Sequence, residues 1–262
     1  MHGLNSIQAV FEQAKAANRA AFIPYYPVGY PDYTTSVDIL QALAEAGSDI
    51  IEVGVPFSDP LADGPTIQAA TQQALEKGTT PHHCIEAIAE VRRRGIETPM
   101  VLMGYLNPFI AYGFNQLAIE SQQIGIDGFI VPDMPADEGE SFQAVLEKAD
   151  LALPHFLAPT SSPSRIRLAA QKARGYIYLV SVTGVTGART TVPDHLRKNI
   201  AEIRTVAQQP IAVGFGISTP KQAASIGEIA DGIIVGSALV KAGAEGPQAV
   251  YQLAHRLRHA LD

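Results

Sequence analysis

The feature that most constrains this chain is an eightfold alternation of short apolar runs with segments of helical period. Runs of strand length fall at Ala21 to Val28, Asp49 to Phe57, Pro99 to Tyr105, Gly128 to Asp133, Leu151 to Pro159, Tyr176 to Val182, Pro210 to Gly216 and Gly232 to Val240. Between them the spacing predicts helices, among them Ser36 to Ala46, Phe114 to Ile124, Ala136 to Ala149, Pro163 to Ala173 and Pro220 to Ile229. Strands apolar on both faces, each followed by a helix, belong in a parallel sheet covered by helices. Eight such units in 262 residues is the size of a closed (β/α)8 TIM barrel. An open doubly wound sheet is the competing architecture, but no G-x-G-x-x-G follows the first strand. Extra helices are expected at the N-terminus, Ile7 to Ala17, and between strands two and three, where Thr66 to Gly95 has room for two. With no linker or low-complexity stretch, residues 1–262 read as one catalytic domain.

In such a barrel the chemistry lies at the C-terminal ends of the strands. The second run, I-E-V-G-V-P-F-S-D-P-L-A-D-G-P-T-I-Q from Ile51 to Gln68, carries a carboxylate inside an apolar strand. Period-two alternation puts Ile50, Glu52 and Gly54 on one face and Ile51, Val53 and Val55 on the other. The branched trio suits the helices, so Glu52 is expected to point into the barrel. A buried carboxylate costs several kcal/mol or takes up a proton, which suits a general acid/base. Asp63, eleven positions on, is a candidate second acid across the same pocket. Equally, Asp59 and Asp63 read as loop aspartates that shape a turn or cap the helix starting near Pro65. The three acids lack the His or ligand spacing of a metal site, so no metal is expected.

Other strand ends suggest a ligand. Gly214-Phe215-Gly216-Ile217-Ser218 and Gly236-Ser237 let backbone N–H groups approach an anion, as in barrels that hold a phosphate after strands seven and eight. With no Lys or Arg noted at those ends, backbone dipoles and hydroxyls are expected to do the holding. The Gly/Thr-rich stretch from Thr183 to Thr191 reads as a closing loop. Tyr25, Met103, Tyr105, Ile130 and Tyr178 would line a slot for a flat apolar group, while His155 reads as a core histidine.

The formal charge of -7 and the lack of a Lys/Arg cluster beyond Arg92 to Arg94 argue against nucleic acid or an anionic membrane as partner. A lone cysteine, no signal-peptide pattern and no apolar run near the roughly 20 residues of a membrane span point to a cytoplasmic location.

The run P-F-S-D-P-L-A-D-G-P-T-I-Q, with Y-L-V-S-V-T-G-V-T-G, G-F-G-I-S and G-S-A-L-V-K in the same order, closely resembles the tryptophan synthase alpha family from Phe22 to about Lys241. The resemblance implies retro-aldol cleavage of indole-3-glycerol phosphate to indole and glyceraldehyde 3-phosphate. Glu52 would then be the acid/base at indole C3 and the side-chain hydroxyl, and Asp63 the acceptor of the indole N–H. It also assigns Tyr178 to the site wall, Tyr25, Met103 and Ile130 to the indole slot and Thr186 to the closing loop. Gly187, Phe215, Gly216, Gly236 and Ser237 would surround the phosphate. Asp59, Asn107 and Pro135 would face a beta subunit that receives indole, in an alpha2-beta2 heterotetramer. Pyridoxal phosphate belongs to that partner and no cofactor is expected here. Pro27 and Val182 stand where many family members have Thr and Arg, and Tyr25 where some have Phe. The competing functions are a stand-alone lyase releasing free indole and a catalytically idle phosphate-binding regulatory subunit.

Overall fold

The computed structural model describes residues 2–180, 194–214 and 216–262. Eight parallel strands form one sheet: β1 (Ala21–Pro27), β2 (Ile51–Gly54), β3 (Met100–Met103), β4 (Gly128–Ile130), β5 (His155–Leu157), β6 (Ile177–Val180), β7 (Ile211–Gly214) and β8 (Gly232–Val235). Their order is β4-β3-β2-β1-β8-β7-β6-β5, so the sheet curls round and its ends, β4 and β5, meet. There the Phe129 N–H donates to the Ala152 carbonyl and the Ala152 N–H to the Asp127 carbonyl, each at 2.9 Å. Gly128 permits the approach, because a Cβ at this position would lie 2.5 Å from the Ala152 oxygen.

The helices are α1 (Leu4–Ala16), α2 (Tyr33–Glu45), α3 (Pro65–Glu76), α4 (Pro81–Arg93), α5 (Leu106–Tyr112), α6 (Phe114–Ile124), α7 (Glu140–Lys148), α8 (Pro163–Lys172), α9 (Asp194–Arg204), α10 (Pro220–Gly227), α11 (Ser237–Gly243) and α12 (Pro247–His259). Local chemistry sets several of their starts. Thr80, Ser162 and Thr219 each accept the backbone N–H three residues on and precede a proline, whose fixed φ suits the first helical position. The two helices expected between strands two and three are α3 and α4.

The alternation read from β2 holds. Ile50 packs inside the barrel with Ile23, Val101, Ile130, Tyr176 and Ala212, whereas Ile51 and Val53 join Phe22, Leu102 and Phe129 beneath the helices. The lower end of the barrel is stoppered by α1, which presents Ile7, Phe11 and Ala14 to that interior. Asp127, fully buried just before β4, fastens the stopper. Its Oδ1 accepts from the Gly3 N–H (2.8 Å) and the Ser6 hydroxyl (2.5 Å), and its Oδ2 from the Met100 N–H (2.8 Å) and the Arg92 guanidinium (3.1 Å).

Several boundaries differ from the sequence reading. The eighth strand stops at Val235, and residues 237–240 begin α11, because the N–H groups of Leu239 and Val240 turn back to the Gly236 carbonyl. An apolar run carries no period that separates these two outcomes. The fifth run forms strand only from His155, since Leu153 pairs antiparallel with Arg174 and Ala152 bridges to Gly128. The helix expected from Ala136 starts at Glu140, after Gly139 at φ 75°. We expect Asp127→Ala to destabilise the fold by about 3–5 kcal/mol, because Arg92 loses its buried counter-charge; urea denaturation measures this.

Candidate active site

The C-terminal ends of the strands surround a cavity of about 840 Å³. Tyr25, Asp63, Met103, Tyr178, Gly216, Gly236 and Ser237, all named from sequence, line it, and so does Pro135. Glu52 lies in the barrel interior beneath, fully buried. Ile130 lies deeper. It pairs with Met103 in strand register but is fully buried in the barrel interior and forms no part of the cavity wall, where Ile234 and Phe156 stand instead. Thr186, Gly187, Phe215 and the expected closing loop lie outside the described residues.

Each acid is held by one phenol. The Tyr176 hydroxyl donates to Glu52 Oε1 at 3.1 Å, and Tyr176 is wedged from below by Phe11 of α1, ring centroids 5.4 Å apart. Glu52 Oε2 is buried with no partner among the described residues. Burial pushes the Glu52 carboxyl up to about 8, against the smaller opposing effect of the Tyr176 bond. Asp63 sits at the end of the loop before α3, its N–H donating to the Pro60 carbonyl at 3.0 Å. The Tyr105 hydroxyl donates to Asp63 Oδ2 at 3.1 Å and itself accepts the Ala62 N–H at 2.9 Å, so the phenol ties acid and loop together. Burial raises Asp63 to about 6, with the Tyr105 bond pulling the other way. At neutral pH one acid is mainly protonated and the other mainly ionised.

Two strand-end glycines shape the walls. A Cβ on Gly54 would lie 2.3 Å from the Tyr25 hydroxyl, and one on Gly214 would lie 2.7 Å from the Tyr178 ring, so each phenol lies across a neighbouring strand where a side chain would stand. Gly214, read from sequence as part of an anion-binding turn, is thus a seat for Tyr178. Tyr178 also stacks on Phe156, centroids 4.4 Å apart.

Sequence reasoning missed Tyr176 as the partner of Glu52, although period two puts it on the face of Tyr178. It also missed two cations: Lys241, one turn into α11 from Ser237, and Arg165 of α8 line the cavity, so backbone dipoles are not the only positive groups there. His155 has Leu153 and Leu157 on its own face, under the helices. Burial lowers its pKa to about 4, which keeps it neutral and out of the chemistry. Among the described residues no group of three or more His, Cys, Asp or Glu is placed to hold a metal ion, and no helix is long and apolar enough to cross a membrane. Asp59 and Asn107 are exposed at the same end of the barrel as the cavity.

The family model described as tryptophan synthase alpha chain matches residues 11–260. The tryptophan synthase alpha chain of Dehalococcoides mccartyi is 46% identical over 246 residues, 93% of this chain and 96% of that one. That of Chloroflexus aurantiacus is 45% identical over 237 residues, 90% and 89% of the two. The solved structure of tryptophan synthase subunit alpha from Legionella pneumophila, 34% identical, superposes with a TM-score of 0.91 over 100% of this chain and 99% of that one. A match of this extent, on a barrel that pairs two differently tuned acids at its catalytic end, means that the chain belongs to the tryptophan synthase alpha chain family.

Proposed function

We propose that this chain cleaves indole-3-glycerol phosphate reversibly to indole and glyceraldehyde 3-phosphate. The observation that carries the reading is the pair of carboxyl groups whose surroundings push them apart, Glu52 to about 8 and Asp63 to about 6. Cleavage needs an acid to protonate indole C3, an anion beside the ring N–H as positive charge develops there, and a base for the side-chain hydroxyl. Glu52 starts protonated and gives its proton to C3. Asp63, ionised and steadied by Tyr105, accepts the N–H and offsets the cationic ring. Glu52, now a carboxylate, takes the proton of the hydroxyl next to the ring; the C=O bond forms, the C–C bond breaks, and its electron pair restores the aromatic ring. Each cycle returns Glu52 protonated, so no proton is gained or lost and no cofactor enters a step. The phosphate falls to Gly216, Gly236 and Ser237, with Gly187 and Phe215 as further members of that set and Lys241 near it. Tyr25, Met103 and Tyr178 hold the ring, and Thr186, outside the described residues, is assigned to the same site.

The partner reading is a beta subunit in an alpha2-beta2 assembly. Its support is an apolar rim at the mouth of the barrel. Leu61 is 92% exposed in the loop that carries Asp59, and Ile110 is 54% exposed on α5, which carries Asn107. Apolar side chains this open suit a protein interface.

Glu52→Gln and Asp63→Asn should each lower indole release by about 10²–10⁴-fold while circular dichroism stays unchanged; near-normal turnover in Glu52→Gln would overturn the mechanism. For the free enzyme, kcat/KM should rise with pH as Asp63 ionises near about 6 and fall as Glu52 loses its proton near about 8. Tyr105→Phe, which removes a donor to the Asp63 anion, should move the acidic limb to higher pH and leave the basic limb in place. Leu61→Ser with Ile110→Ser should raise the beta-subunit concentration needed for half-maximal stimulation by roughly tenfold, with unchanged activity of the chain alone; an unaltered titration would remove this rim from the interface.

A further inference from the structure

Tyr105 and Tyr176 each hold an acid, but the hydroxyl of Tyr25 makes no hydrogen bond among the described residues. Its ring is fixed on two sides, with the hydroxyl end over the bare Cα of Gly54 and the opposite edge against Gly236, 3.4 Å from where a Cβ would stand. Tyr25 is 5% exposed and faces the same cavity as Asp63. Strand register puts it level with Glu52, and Gly54 is two residues further toward the mouth on the same face of β2, so the hydroxyl stands above Glu52. Burial first, and then the ionisable groups around it, Asp63, Tyr105, Glu52 and Cys84, all raise its pKa, so it remains a neutral donor at any working pH. A fixed donor therefore stands at the cavity wall on the Asp63 side of the slot, with no acceptor among the described residues.

Indole cannot satisfy it. The ring edge next to its N–H is C–H, and covering an unpaired hydroxyl with an apolar edge is unfavourable. We propose that Tyr25 and Asp63 together form a donor–acceptor pair that reads the heterocycle edge beside the ring N–H, so that the slot accepts aza-heterocycles with an acceptor nitrogen adjacent to that N–H. 7-Azaindole presents this edge: its N–H meets the Asp63 carboxylate while its pyridine nitrogen accepts from Tyr25. The indole-like C3 stays free for the same aldol chemistry, forming a C–C bond to glyceraldehyde 3-phosphate as the C3 proton passes to Glu52 and the carbonyl oxygen is protonated. Tyr25 is here a specificity-determining residue, and its role rests on the proposed placement of the ring N–H at Asp63.

The test measures dissociation constants of indole, 7-azaindole and 4-azaindole, whose acceptor lies on the far side of the ring, for the wild-type chain and for Tyr25→Phe, alongside cleavage of indole-3-glycerol phosphate. The wild type should prefer 7-azaindole over 4-azaindole by about tenfold, one good hydrogen bond. In Tyr25→Phe that preference should vanish while indole affinity is kept or improved. The wild-type comparison stands even if the variant fails to fold. Equal affinity of the wild type for the two azaindoles, or a variant that loses indole and 7-azaindole affinity alike, would overturn the proposal. Cleavage that persists in that case leaves the proposed reaction intact; a wild type that neither cleaves the substrate nor binds indole overturns both.

Discussion

The barrel depends on a contact where a side chain is missing. Gly128 lets β4 come against Ala152, and without that approach the two ends of the sheet could not meet. Closure removes the exposed strand edges that an open sheet would present, and it surrounds the interior on all sides. Everything at the catalytic end follows from that enclosure, because only a closed interior can strip the water from Glu52. The stopper α1 completes it from below, and Asp127 joins stopper, seam and α4 at one buried point.

Two acids are fully buried among the described residues, and they differ in how well they are satisfied. Asp127 accepts four donors, one of them a guanidinium, so its charge is matched where it lies. Among the described residues Glu52 has a single phenol, and its other oxygen has no partner. The same burial thus gives a structural anion in one place and a proton carrier in the other. Asp63 lies between these extremes, half-buried with one phenol, and its pKa falls short of that of Glu52. Three carboxylates at three degrees of satisfaction account for the division between framework and chemistry better than position along the chain does.

Much of this was legible in the sequence for a physical reason: strands of a parallel barrel are buried on both faces, so their apolar runs stand out, and Glu52 was conspicuous as a charge within one. Phe114 to Ile124 came out at its observed limits because Gly113 and Gly125 punctuate it. The eighth strand did not, since an apolar stretch that turns from strand to helix at Gly236 keeps its composition while changing its geometry. Tyr176 escaped notice because an aromatic in a core strand looks the same whether its hydroxyl is idle or holds an acid. Lys241 and Arg165 were missed because they come from the bodies of α11 and α8, whereas attention to strand ends finds only loop residues. Ile130 lies deeper than the cavity wall, a depth that depends on how far each strand extends before it ends.

Gly54 and Gly214 carry a different kind of information from the residues that line the cavity. Neither contributes a group to the chemistry, yet each defines how low a phenol can lie and hence the thickness of the slot above it. The aromatic slot is in this sense moulded from behind, by positions that a survey of contacting side chains would pass over. Relatives could therefore differ in which rings they admit while keeping every lining residue the same, through a single methyl group added to the backbone beneath a tyrosine.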